Sequence, residues 1–356
     1  MARPMTSAQR FRRVFDHKEP DRLPIFDDPW GSTWQRWRKE GYPEGVDPAD
    51  FFGWDRVAGI HIDNSPRYPV GVVEETDEYK IHTTAWGTTL KSWKSKGGVP
   101  EFERFTITDP DSWRQAKKRM TPDPGRIDWE KLKVQYPKWK EQGARIVAGG
   151  WFGYDVFASW IVGYERVLMA MIEEPEWCQD MFRTALELDI AMMEMLLERG
   201  YTFDSFNWPD DLGYRNGLLF SLKTYRQVSR PVHKQAIDWC HAHGVKAHMH
   251  SCGNIMALAD DLVEIGLDGL NPLEIKAGMD PLALKAKYGG KLVLEGGIDV
   301  RNWNDPAKAE AELREKLPAL KKNGGYIFHS DHSIPETISL KDYQYVLEVA
   351  KKLGTY

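Results

Sequence analysis

The chain has 356 residues, 42% of them hydrophobic, and a formal net charge of −5. That length suits one large α/β domain, or at most two, and the acidic balance excludes a basic field for nucleic acid. No run approaches the ~18 apolar residues of a membrane span, and the basic N-terminus lacks the apolar core of a secretory signal. Three cysteines (Cys178, Cys240, Cys252) are too few for a disulfide framework, so a reduced, cytoplasmic setting is expected.

Residues 6–17 have helical periodicity, with Phe11, Val14 and Phe15 on one face. DRLPIF (21–26) reads as a short strand ending in Asp27, Asp28 and Trp30. Residues 31–130 read as irregular insertions, with a hairpin-like piece at 78–93 and loops at 64–71 and 97–101. Many of the 15 tryptophans fall in this region, where core packing or a flat aromatic ligand would each account for them.

From residue 145 the rhythm is regular. RIVAGGWFG (145–153) is a strand entering a glycine-rich loop, followed by helical sequence over 163–199, broken near Pro175. FDSFNW (203–208) is the next strand, and Ser221 is a candidate N-cap for a helix over 225–243. VKAHMHSCGN (245–254) alternates apolar and polar residues as a strand does. Helix then follows over 255–265, strand over 267–274 and helix over 281–288. Strand 291–299, helix 306–322, strand 325–332 and helix 340–353 complete the chain. Six strands alternate with helices here. With the strand at 22–26 and one from 55–90 they make eight, which predicts a (β/α)₈ TIM barrel as one domain over 1–356.

In such a barrel catalytic groups gather where strands end. Those ends carry Asp27, Asp28 and Trp30; Trp151 and Tyr154; Trp208, Asp210 and Asp211; His250 and Cys252; Asn271 and Glu274; Glu295 and Asp299; His329, Asp331 and His332. His250 and Cys252, two residues apart at a strand tip, share a face and offer nitrogen and sulfur, the donors zinc favours. A buried cysteine beside a solvated histidine gives the same pattern. The remaining ligands are sought in Glu295 and His332, with Asp331 third. His248 is placed deeper on the same face, and at most one of His329 and His332 is expected to face the centre. Acidic strand-end residues such as Asp210 and Asp299 also serve as helix caps.

Several of these motifs together resemble the uroporphyrinogen decarboxylase superfamily: RF (10–11) through DRLP (21–24), DDLGYRNGLLFS with YRQVSRPVHKQAIDWCHAHGVKAHMHSCGN, LEGGIDV, and GGYIFHSDHSIP. The resemblance covers nearly the full length and implies a (β/α)₈ barrel. The arginine-rich N-terminal substrate motif of the true decarboxylases is absent. His250-Ser251-Cys252-Gly253-Asn254 is similar to the H-x-C-G-N zinc motif of the superfamily's corrinoid-dependent methyltransferases. Their later cysteine ligand is replaced by His332, within a sequence similar to that of aryl methyl ether demethylases.

That resemblance implies methyl transfer from a small methylated substrate, a methoxylated aromatic, to the cobalt of a separate corrinoid protein. Zinc on His250, Cys252, Glu295 and His332 would polarise the ether oxygen, or an acid such as Asp211, Glu295 or His332 would protonate it. Asp27, Asp28, Trp30, Trp151, Tyr154, Trp208 and Asp210 are the candidate substrate contacts. A homodimer stays open. The rival readings are a metal-free decarboxylase of a pyrrole or aromatic acid, and a barrel that only binds a tetrapyrrole.

Overall fold

The computed structural model describes residues 4–95 and 100–356. Seven strands lie side by side in chain order, all parallel: β1 (Val57–His61), β2 (Arg145–Gly149), β3 (Ser205–Pro209), β4 (Lys246–His250), β5 (Gly269–Asn271), β6 (Val293–Glu295) and β7 (Tyr326–Ile327). Their registers step regularly, with Val57 opposite Arg145, His248 opposite both Asn207 and Gly269, and Glu295 opposite Ile327.

The extended segment 23–26 closes this curled sheet. Phe328 N–H donates to the Pro24 carbonyl (2.9 Å) and Phe26 N–H to the Phe328 carbonyl (3.2 Å), while Asp55 N–H, just before β1, donates to the Ile25 carbonyl (2.7 Å). The result is the expected (β/α)₈ TIM barrel. The segment's regular pairing is short because the Asp55 carboxylate, rather than a neighbouring backbone carbonyl, accepts the Ile25 N–H (2.9 Å). Asp55 also receives the guanidinium groups of Arg10 and Arg22, and Arg10 reaches Asp21 as well. The RF and DRLP motifs are thus the joint where the barrel closes.

Thr6 caps the helix Ser7–Phe15 in a reciprocal box with Gln9. Its apolar face sets Phe11, Val14 and Phe15 against Val293 and Ile327, sealing the N-terminal end of the barrel. Each buried phenylalanine contributes about 1.5–3 kcal/mol by leaving water.

Between β1 and β2 the chain is more ordered than its sequence suggests. Four strands, Gly71–Glu75, Tyr79–Thr83, Thr88–Trp93 and Glu101–Phe105, form an antiparallel sheet, and the 78–93 hairpin is its centre. The expected loop at 97–101 lies outside the described residues up to 99, and Glu101 already belongs to a strand. Gly163 lets this sheet approach the barrel: at φ 104° a Cβ there would stand 2.8 Å from the Phe105 ring. Trp34, Trp37 and Trp54 pack with Phe52 and Tyr343, Trp37 stacking on Tyr343 at 4.8 Å, so these tryptophans are core.

The helical stretch breaks at Pro175 as expected, into Tyr164–Glu173 and Pro175–Glu198. Ser221 does cap a helix, but that helix ends at Val228 and a second runs Arg230–Ala242. Pro231 cannot donate to the Gln227 carbonyl and its ring crowds that turn, so the single predicted helix is two. No described helix is long and apolar enough to cross a membrane.

Candidate metal centre

Strand β4 delivers His250 to the C-terminal mouth, and the chain then turns sharply at Gly253. With φ 81°, a Cβ there would lie 2.3 Å from the Gly213 carbonyl carbon, so only glycine fits. The turn folds Cys252 back beside His250, with Sγ 3.2 Å from Nε2. From the last strand end, His332 Nε2 comes within 3.6 Å of the same sulfur. Glu274 Oε1 stands 3.6 Å from His332 Nε2, and Asp211 Oδ1 stands 3.7 Å from His250 Nε2. Both carboxylates are held by the turn itself: Cys252 N–H donates to Asp211 (2.8 Å) and Gly253 N–H to Glu274 (2.8 Å).

Cys252 is therefore shared by two triads, Asp211–His250–Cys252 and Cys252–Glu274–His332, each with donor atoms within 4.8 Å of one another. Burial pushes the Cys252 thiol above its ordinary value, and the Asp211 and Glu274 charges add to this. Burial likewise lowers His250 and His332, keeping both imidazoles neutral, the form that binds metal. A dication would reverse the field at sulfur and favour the thiolate. One sulfur, two neutral imidazole nitrogens and a carboxylate make a donor set that fits zinc.

Beside this cluster stands Asp155, which sequence reasoning missed. Its carboxyl accepts from Trp151 Nε1 (3.0 Å) and Ser159 Oγ (2.8 Å), and burial, reinforced by Asp211, raises it to about 7. Ser159 Oγ lies 2.7 Å from the hydroxyl of half-exposed Tyr164, a hydrogen-bonded path toward the surface. Trp151 packs edge-on against Trp86 and Trp160, each at 5.8 Å, giving an aromatic wall.

The structure places the other expected site residues differently. Glu295 does not join His250, Cys252 and His332; it is buried a layer below, its carboxylate 3.8 Å from His248 Nε2. The reason is strand parity and depth, since Glu295 is the last residue of β6 and points into the barrel interior. Glu274, four residues beyond β5, takes the position at the mouth. Asp331 is also outside the cluster, accepting N–H bonds from Ile275 (3.1 Å) and Val300 (3.0 Å).

Four proposed substrate contacts are packed away. Trp208 alternates with the inward-facing Ser205 and Asn207, so it points outward with Phe206 onto Phe152 and His233. Tyr154 is fully buried against Phe220 and Tyr164. Asp210 is occupied, accepting from His233 Nε2 (2.8 Å) and Asp155 N–H (2.7 Å). Asp27 is buried too, accepting from Ser330 Oγ (2.6 Å), while Asp28 and Trp30 remain exposed at the rim. Asp299 caps the short helix Val300–Asn302, as its alternative reading held.

His248 lies deep, as expected. His329 and His332 both face inward, at two depths, because the chain leaves strand geometry after Ile327 and the alternation rule lapses. His329 lies 3.7 Å from Asp27; burial alone would lower it, but the Asp27 and Glu295 carboxylates hold it above its ordinary value.

Comparison with known proteins adds three findings. The family model described as Uroporphyrinogen decarboxylase (URO-D) matches residues 80–353. No curated protein sequence matches the chain. Among solved structures, a methyltransferase from Methanosarcina mazei is similar over 98% of this chain and 99% of its own, with TM-score 0.64 and 14% identity. A Group IV chitinase from Ostrinia furnacalis covers 93% of this chain and 99% of its own at 12% identity, and its TM-score of 0.35 carries no argument. Identities this low speak to the fold alone.

Proposed function

Because this chain belongs to the uroporphyrinogen decarboxylase family, with a sulfur–imidazole cluster where that barrel opens, we propose that it is a methyltransferase. It takes a methyl group from a methoxylated aromatic and passes it to the reduced cobalt of a separate corrinoid protein. The observation that carries this reading is the convergence of Cys252 with His250 and His332, since a decarboxylase has no use for a thiol between two neutral imidazoles. The fold shared with the Methanosarcina mazei methyltransferase is in keeping with it.

Zinc bound by His250, Cys252 and His332, with Glu274 or Asp211, would act as a Lewis acid on the ether oxygen. The chain's own residues do the rest. Trp86, Trp151 and Trp160 hold the ring and exclude water. As the methyl–oxygen bond breaks, the methyl goes to cobalt and the electron pair stays on oxygen. Asp155, with a value raised to about 7, supplies the proton that converts the departing phenolate to a phenol. Ser159 and Tyr164 return a proton to Asp155 from the surface.

The test combines purified, zinc-replete protein, a corrinoid protein reduced to the Co(I) state and a panel of methoxybenzoates. The expected result is the absorbance change of cobalt methylation together with release of the phenol. Unchanged spectra and intact ethers across the panel would sink the proposal.

A further inference from the structure

A second site lies at the other end of the barrel. Arg145 opens β2 and is 3% exposed, its guanidinium set between the rings of Phe11 (4.7 Å) and Phe15 (4.8 Å). Nη2 donates to Ser205 Oγ (2.9 Å) and lies 3.4 Å from His248 Nδ1. Nε and Nη1, with three N–H bonds between them, have no hydrogen-bond acceptor among the described residues, while the Glu295 and Asp204 carboxylates attract the group from beyond ion-pair distance. Donors left unmet on a guanidinium this buried favour a ligand that brings acceptors to them.

Arg145 lines a cavity of about 450 Å³ between the helix Ser7–Phe15 and the loops that lead into β3 and β4. Arg12, Lys140 and Lys246 also line it, against two carboxylates, Asp16 and Asp204. Asp204 is already engaged, accepting Ile146 N–H (2.8 Å) and lying 3.6 Å from Arg12. With Arg12 set against Asp204 and Lys246 against Asp268 (3.4 Å), Arg145 and Lys140 are the lining cations that form no ion pair among the described residues. Phe15 and Phe203 give it an apolar wall.

We propose that this cavity binds a small oxyanion, a carboxylate or phosphate, on Arg145, Lys140 and Lys246. The ligand supplies the acceptors that the guanidinium lacks, and charge-assisted hydrogen bonds to arginine suit both groups. The site is independent of the metal centre: Lys246 and His250 stand at opposite ends of β4, roughly 13 Å apart at the rise of a strand. It does not rest on the methyltransferase reading.

The experiment is calorimetric titration of the full chain with inorganic phosphate and, separately, benzoate, at ionic strength fixed with chloride. Saturable binding is expected, and whichever anion binds tighter identifies the class. Lys140→Gln/Lys246→Gln, at one exposed and one half-buried position, is expected to weaken it at least tenfold, and Arg145→Gln to abolish it. Should Arg145→Gln fail to fold, the double lysine variant decides the matter. Absence of saturable binding by phosphate or benzoate to folded wild type would overturn the site, as would unchanged affinity in the double variant.

Discussion

His332 Nε2 stands 3.6 Å from Cys252 Sγ although 80 residues separate the two in the chain. The barrel makes this contact by bringing the ends of β4 and β7 to one mouth, and it is what turns an H-x-C motif into a three-donor cluster. From this arrangement it follows that His332→Ala weakens zinc binding, by about 10- to 100-fold, whereas Glu295→Gln leaves it within a factor of two. Loss of one ligand or its close support has effects of that order. Competition with a chromogenic chelator measures both; equal losses would mean that Glu295, not Glu274, completes the site.

Gly253→Ala tests the turn. Its φ of 81° and the 2.3 Å approach to Gly213 mean a methyl group there forces the loop open. The variant should lose at least ~1 kcal/mol in urea unfolding, since an alanine cannot adopt that conformation without strain. It should lose zinc affinity along with stability. A variant as stable and as tightly zinc-binding as wild type would refute the geometry.

Asp155 gives the chain a pH signature. Its carboxyl is raised to about 7 in the fold, chiefly by burial, and sits near 3.9 when unfolded. Between those values the folded state binds the extra proton. The stabilisation from this group is therefore full below about pH 4 and is lost as pH rises toward 7. The loss is no more than about 4 kcal/mol by linkage. Asp155→Asn in metal-free protein should flatten that part of the stability–pH curve and, with metal restored, lower demethylation while keeping zinc. An identical curve for wild type and variant would remove Asp155 from its assigned role.

Trp151→Ala and Trp160→Ala probe the aromatic wall. Removing one ring face costs roughly 0.5–1.5 kcal/mol of contact beyond area burial. KM for a methoxybenzoate should rise by about two- to tenfold or more with zinc content unchanged. Trp208→Ala should instead destabilise the fold by about 3–5 kcal/mol, because its ring is core, and leave KM alone in whatever protein remains folded. Urea unfolding and steady-state kinetics separate the two patterns.

Much of this architecture was legible because β/α alternation is a local signal. The regular strands after residue 145, the break at Pro175 and the pairing of His250 with Cys252 all follow from period and from chain breakers. What local pattern cannot supply is depth and parity once a strand ends. His329 and His332 escaped the alternation rule because they follow the last strand residue, and Glu295 looked like a mouth residue although it faces the interior beneath His250. Trp208 was misplaced for a plainer reason: its neighbours Ser205 and Asn207 already showed which parity faces inward. Asp155 had no motif at all; only packing of the loop after β2 reveals its burial. Glu274 was visible at a strand end, and the Gly253 N–H that fixes it belongs to another loop.

The most direct measurement is zinc stoichiometry with X-ray absorption at the zinc edge, on wild type and Cys252→Ser. The account predicts about one zinc per chain, one sulfur at about 2.3 Å with the remaining donors nitrogen or oxygen. In Cys252→Ser that sulfur should be gone. A folded wild type that takes up no zinc when zinc is supplied, or zinc with no sulfur neighbour, would contradict the centre and with it the proposed chemistry.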